Sequence, residues 1–129
     1  MILRYKGVAI VKSRKGILIV SKKGTVFSLP GGGANVGESR KKAVLRELRE
    51  ETGLIGFLPR YFCSYVGRNW KNRKNSNIKN MAQVFIVWTI GTPKPKNEIK
   101  YVHWYKQGDK LKLSKSTESV LKKYYRYNN

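Results

Sequence analysis

The chain has 129 residues, 40% of them hydrophobic and 12% aromatic, with 28 Lys plus Arg against 7 Asp plus Glu. This composition excludes an intrinsically disordered chain, and the length suits one domain with a core of its own. The formal net charge of +21 describes either a surface that attracts polyanions or a Lys-rich solvated face with no specific partner.

No apolar run approaches the roughly 20 residues that span a bilayer, so no membrane partner is expected. Met1–Lys6 begins like a strand and lacks a signal-peptide layout, which makes a cytoplasmic location the expectation. Cys63 stands alone in an apolar stretch and reads as a small buried hydrophobe. His103 has no His or Cys partner nearby, so zinc is not expected.

In chain order, Tyr5 to Val11 and Ile17 to Lys22 read as strands, joined by a turn at Ser13-Arg14-Lys15-Gly16. Val26 to Leu29 reads as a further short strand. Pro30-Gly31-Gly32-Gly33 reads as a tight loop that exposes its backbone. A helix is predicted from about Ser39 to Thr52, with Ser39 or Glu38 as N-cap and Gly53 ending it.

One or two strands follow within Ile55 to Gly67, interrupted at Pro59. Arg68 to Asn77 is polar and basic and reads as a long loop. Ala82 to Ile90 is a central strand, Thr92 to Asn97 a rigid connector, and Ile99 to Lys106 another strand. A last helix is predicted from about Ser114 to Tyr127, with Val120, Leu121, Tyr124 and Tyr125 as its apolar stripe. Many strands with two helices make a single mixed α/β domain over residues 1–129.

Four of the seven acids crowd into one stretch: Glu38, Glu47, Glu50 and Glu51. On a helix with about 100° per residue, Glu47, Glu50 and Glu51 fall within an arc of about 100°. Val44, Leu45 and Leu48 take the neighbouring arc, while Lys42, Arg46 and Arg49 lie on the other side. A solvated helix with i, i+4 ion pairs would instead spread its acids among its bases. Carboxylates converging in this way suit Mg²⁺ or Mn²⁺, which prefer oxygen ligands.

The same residues carry a resemblance. Gly32 to Leu54 matches the Nudix box, G-x5-E-x7-R-E-U-x-E-E-x-G-U, at every fixed position, U being a bulky aliphatic residue. Ser28-Leu29-Pro30-Gly31 is similar to the family's usual lead-in, and Val102-His103-Trp104-Tyr105 to its late strand.

The resemblance implies the Nudix fold, a mixed β-sheet sandwiched between α-helices. It also implies a MutT-like, metal-dependent hydrolase that cleaves a pyrophosphate bond in a nucleotide or a nucleoside diphosphate linked to another moiety. By that resemblance Glu47, Glu50 and Glu51 are catalytic metal ligands, the Gly31 carbonyl joins them, and Arg46 orients Glu47. Glu38, Gly32 and Gly53 are structural or support the metal shell. Glu98, just before a late strand, is a candidate extra ligand or base; Glu50, Glu51 or a later-loop acid would be the general base.

Substrate contacts are expected outside the box, with Trp70, Arg68, Lys71 and Arg73 as candidates. Phe85 and Trp104 read as core. Where many ADP-ribose hydrolases of the family carry proline, sixteen residues beyond the box, this chain has Trp70. The substrate therefore stays open among ADP-ribose, a dinucleoside polyphosphate, a nucleoside triphosphate and an RNA 5′ end. The rival reading is a basic RNA-binding module that keeps the fold, and the family also leaves a homodimer open.

Overall fold

A computed structural model describes residues 1–128. The order is β1 (Ile2–Ile10), β2 (Lys12–Ser13), β3 (Gly16–Ser21), β4 (Gly31–Gly33), α1 (Arg40–Thr52), β5 (Ile55–Val66), β6 (Trp70–Lys71), β7 (Asn77–Ile90), β8 (Tyr101–Tyr105) and α2 (Lys115–Tyr127). The larger sheet runs β4-β1-β7-β5, with β6 also paired to β7. It is mixed: β1 and β7 are parallel, and the other pairings are antiparallel. A smaller antiparallel sheet runs β2-β3-β8.

Alternation along β1 and on to Val11, the residue after it, sends side chains to two cores. Val8 and Ile10 join Val84, Val120, Leu121 and Tyr124 beneath α2. Ala9 and Val11 join Val44, Leu48, Phe85 and Val87 beneath α1. The sheet is thus covered by a helix on each side, as the resemblance implied. Where α1 crosses β1 the approach is so close that only Gly7 fits. A Cβ there would collide with the Arg40 carbonyl and lie 2.9 Å from Val44 Cβ.

Four expectations need correction. Gly31–Gly33 is not a loop but the edge strand β4, paired with Lys6, Gly7 and Val8. Its glycines carry no side-chain pattern that marks a strand; the β1 backbone supplies the partners. Val26 to Leu29 forms no ladder, only isolated bridges from Phe27 to Leu113 and from Ser28 to Val20.

The long loop is in part a hairpin. Trp70 and Lys71 pair with Ile78 and Asn77, around a turn closed by the Asn72 Oδ1 atom. That oxygen accepts the backbone N–H groups of Lys74 and Ser76, both at 3.0 Å. β7 consequently begins at Asn77 rather than Ala82.

Pro59 does not divide β5. It sits in a bulge where the register shifts between Phe57 and Arg60 and Leu58 takes φ 49°. Cys63 is buried, as are Phe85 and most of Trp104. Among the described residues no helix is long and apolar enough to cross a membrane.

Candidate active site

Helix α1 begins at Ser39, whose Oγ accepts the Lys42 N–H at 3.1 Å. It ends at Gly53, left-handed at φ 76°, whose N–H meets the Arg49 carbonyl at 2.8 Å. Ala43, Val44, Leu48 and Thr52 are its buried face. With that face fixed on the sheet, the carboxylate face lies beside β4.

Arg46 is the hub. Its Nε and Nη2 atoms donate to the two oxygens of Glu38, both at 2.9 Å, and Nη2 also donates to the Gly33 carbonyl at 2.9 Å. Nη1 donates to Glu47 Oε1 at 2.9 Å and reaches Glu50 at 3.1 Å. One guanidinium therefore ties the loop before α1 and strand β4 to two of the helix's carboxylates. The Arg46 fork, with the Asn35 N–H, holds the Glu38 carboxyl down at about 2. The carboxylates in turn push the Arg46 pKa above its ordinary value.

Glu51 has a different setting. Its Oε1 accepts the Gly31 N–H at 2.9 Å. Burial pushes its pKa up to about 7, with the Glu47 charge adding to the shift and the Gly31 hydrogen bond opposing it. Gly32 leaves room for the Glu47 carboxylate, since a Cβ there would lie 2.7 Å from Glu47 Oε2. Glu98 pairs with Lys22 at 2.9 Å, which lowers its pKa.

Gly31, Gly32, Glu47, Glu50, Glu51 and Glu98 all line one cavity of about 330 Å³. Its possible metal donors are all oxygens, with no thiol or imidazole, and that set fits a hard divalent cation. Among the described residues, no three such side chains already stand grouped as a metal cluster. Each is instead engaged by a neighbour: Glu47 and Glu50 by Arg46, Glu51 by Gly31, and Glu98 by Lys22.

Arg4, Lys6, Lys22 and Asn97 complete the cavity wall, and the sequence reading missed all four. A signal existed for Lys6. Period-two alternation puts it on the same strand face as Val8 and Ile10, a cation in line with core positions. Its burial, followed by the charge of Arg4, lowers its pKa.

The four candidate substrate residues are not brought together. Arg68 lines a cavity of about 510 Å³ with Lys6, Tyr65, Asn80 and Ser116. Trp70 lines a separate groove of about 840 Å³ with Tyr5 and Arg40. Lys71 and Arg73 are exposed on the β6–β7 hairpin.

A sheet covered by two helices, with an arginine-tied carboxylate cluster at one edge, defines a mixed α/β domain whose site suits a hard cation. The family model described as NUDIX domain matches residues 3–126, and the chain belongs to the Nudix hydrolase family. It is 30% identical over 125 residues to a protein named ADP-ribose pyrophosphatase from Methanocaldococcus jannaschii, covering 93% of this chain and 72% of that one.

Among solved structures it resembles a putative Nudix hydrolase family member from Chromobacterium violaceum. That match has a TM-score of 0.84 and 30% identity, over 98% of this chain and 79% of the other. A MutT Nudix hydrolase from Burkholderia pseudomallei shares the fold, with a TM-score of 0.77 and 21% identity over 95% of this chain and 98% of that one. Pyrophosphate hydrolysis by means of divalent metals is general to the family.

Proposed function

We infer that this chain is a divalent-cation-dependent pyrophosphohydrolase that cleaves a pyrophosphate bond in a nucleotide or a nucleoside diphosphate linked to another moiety. The observation that carries this reading is one cavity lined by both Glu47, Glu50, Glu51 and Glu98 and Arg4, Lys6 and Lys22. Acids suit a cation and bases suit phosphate oxygens, so the two sets together suit a metal-bound diphosphate.

Glu47, Glu50, Glu51, Glu98 and the Gly31 carbonyl would hold Mg²⁺ or Mn²⁺. When bound, the ion neutralises phosphate charge and acidifies a bound water. Arg46 orients Glu47 and Glu50 and touches no substrate; Glu38 holds Arg46 in place. Water adds to phosphorus, the bridging P–O bond breaks, and the proton goes to a carboxylate of this set, Glu50 and Glu51 being the candidates. Arg4 and Lys6 offset charge on the departing phosphate.

The Methanocaldococcus jannaschii relative makes ADP-ribose the first substrate to test. A metal-supplemented screen should compare it with nucleoside triphosphates, dinucleoside polyphosphates and 5′-triphosphorylated RNA. Glu50→Gln and Glu51→Gln are expected to lower turnover by orders of magnitude with the fold intact. Full activity in EDTA, or in both variants, would sink the reading.

A further inference from the structure

We propose that the uncovered end of the larger sheet, at Ile55, Phe57, Trp88 and Ile90, rests on the surface of a bilayer that carries anionic headgroups. Strand β7 shows how that end arises. Its side chains on the α2 side run Ala82, Val84, Ile86, Trp88 and Ile90. The first two are buried beneath α2 and Ile86 packs against the same core. Trp88, by contrast, is 64% exposed and Ile90 62%. Between those two, Val87 faces the α1 core. The apolar stripe thus outruns the helix that covers it.

Strand β5 doubles the stripe. Phe57 pairs with Trp88 and Ile55 with Ile90, so each pair stands on one face of the sheet. Ile55 is 56% exposed and Phe57 39%. Large apolar side chains that adjoin one another in water mark an interaction surface, unlike single residues scattered over a protein.

Charge identifies the occupant. Residues 52–97, which contain β5, β6 and β7, carry eight Lys and Arg and no Asp or Glu. Arg60 follows Phe57 across the bulge, opposite Ile86, and its charge reaches the Tyr124 hydroxyl of α2. Lys12 lines a small cavity with Tyr124 at the same end of that helix. Lys94 is tied beside the start of β5, its N–H donating to the Thr52 carbonyl at 2.9 Å. All three cations are exposed. Tryptophan and aliphatic tips among cations suit acyl chains that lie beneath anionic headgroups.

Other occupants fit less well. A second copy would bring another chain of net charge +21 against the same cations. It could not readily add a strand to the open edge of β5 either, because Pro59 and two register shifts interrupt that strand. A peptide helix would need a groove to lie in. Among the described residues, five cavities of about 270–840 Å³ occur, and none is lined by Ile55, Phe57, Trp88 or Ile90. A fluid apolar layer needs neither a strand edge nor a groove, and resting on it calls for no spanning helix.

The proposal does not depend on the chemistry at the carboxylates. The test mixes the full chain with vesicles of phosphatidylcholine, alone or in equal parts with phosphatidylglycerol, and reads cosedimentation at fixed salt. Wild type should bind the mixed vesicles about tenfold or more tightly than the neutral ones. The double substitution Trp88→Gln with Ile90→Gln should lose about tenfold or more of that affinity. Its melting temperature should not change, since both side chains are exposed. Bromine-labelled acyl chains should quench tryptophan fluorescence in wild type and much less in Trp88→Phe, which should still bind.

No binding of wild type to either vesicle overturns the proposal. Equal binding of wild type and the double variant overturns it too, because net charge alone then accounts for adsorption. Equal quenching in wild type and Trp88→Phe does the same, since the face then stays out of the acyl layer. A wild type that is dimeric in solution beside a monomeric double variant, with no difference on vesicles, would assign the face to a second copy instead.

Discussion

Arg46 grips Glu38 at both carboxylate oxygens, with Nε and Nη2 each 2.9 Å from one of them. The remaining guanidinium hydrogens serve Gly33, Glu47 and Glu50. Only a planar fork can make these contacts at once, so lysine is no substitute. Arg46→Lys should lower the melting temperature by a few degrees and turnover by about tenfold or more, with most of the loss in kcat. Equal kcat in variant and wild type would show that the hub has no bearing on Glu47 and Glu50.

Glu51 and Glu38 should impose opposite pH dependences on the stability of the metal-free protein. The folded-state pKa of Glu51 is raised from 4.5 to about 7, so the folded state binds its proton more tightly than the unfolded chain does. Its contribution to stability therefore falls as pH rises from about 4.5 to 7, by on the order of 3 kcal/mol. Glu38, held at about 2, contributes stability above pH 4.5 that is lost as pH falls toward 2. Urea unfolding at stepped pH in EDTA would check both. The wild-type minus Glu51→Gln difference should slope downward with rising pH, and the wild-type minus Glu38→Gln difference upward.

Two glycine substitutions should separate site from scaffold. An alanine Cβ at position 32 meets the Glu47 carboxylate, the far end of a flexible side chain. Gly32→Ala should keep the fold and lower turnover. At position 7 the same Cβ meets the backbone of α1 and Val44. Neither can yield without lifting the helix, so Gly7→Ala should cost about 1–3 kcal/mol in thermal or chemical unfolding. Equal stability losses in the two variants would contradict this division.

These contrasts also mark what the sequence could reveal. The helix that carries Glu47, Glu50 and Glu51 was legible in its caps, its apolar arc and its acid arc, because all three are periodic signals within one segment. Strand β4 was not, since three glycines bear no side chain to alternate and only the β1 backbone makes them a strand. The β6–β7 hairpin was hidden by polarity, its register being set by Ile78 and by the Asn72 turn rather than by a hydrophobic run.

Lys6 and Lys22 reach the carboxylates only through tertiary structure, one from β1 and one from just beyond β3. Trp70 also takes its place through tertiary structure, in a separate groove. Its isolation in a basic stretch marked it as a candidate ligand contact, but not that Arg68 would line a different cavity.

Divalent cations should stabilise this protein directly, apart from any effect on turnover. On a chain of net charge +21 nonspecific cation binding is disfavoured, so a response to Mg²⁺ or Mn²⁺ at constant ionic strength reports a built site. Saturation to about a hundred times the dissociation constant would add about 2.7 kcal/mol and raise the melting temperature by several degrees. A ligating carboxyl must first release its proton, and Glu51 does so near pH 7. The cation-induced rise should therefore be larger at pH 8 than at pH 6. Glu51→Gln should shrink the rise and remove much of this pH dependence, whereas Trp70→Phe should leave both unchanged. An equal rise in wild type and Glu51→Gln would take Glu51 out of the ligand set, and no rise with either ion would take the cation out of the proposed reaction.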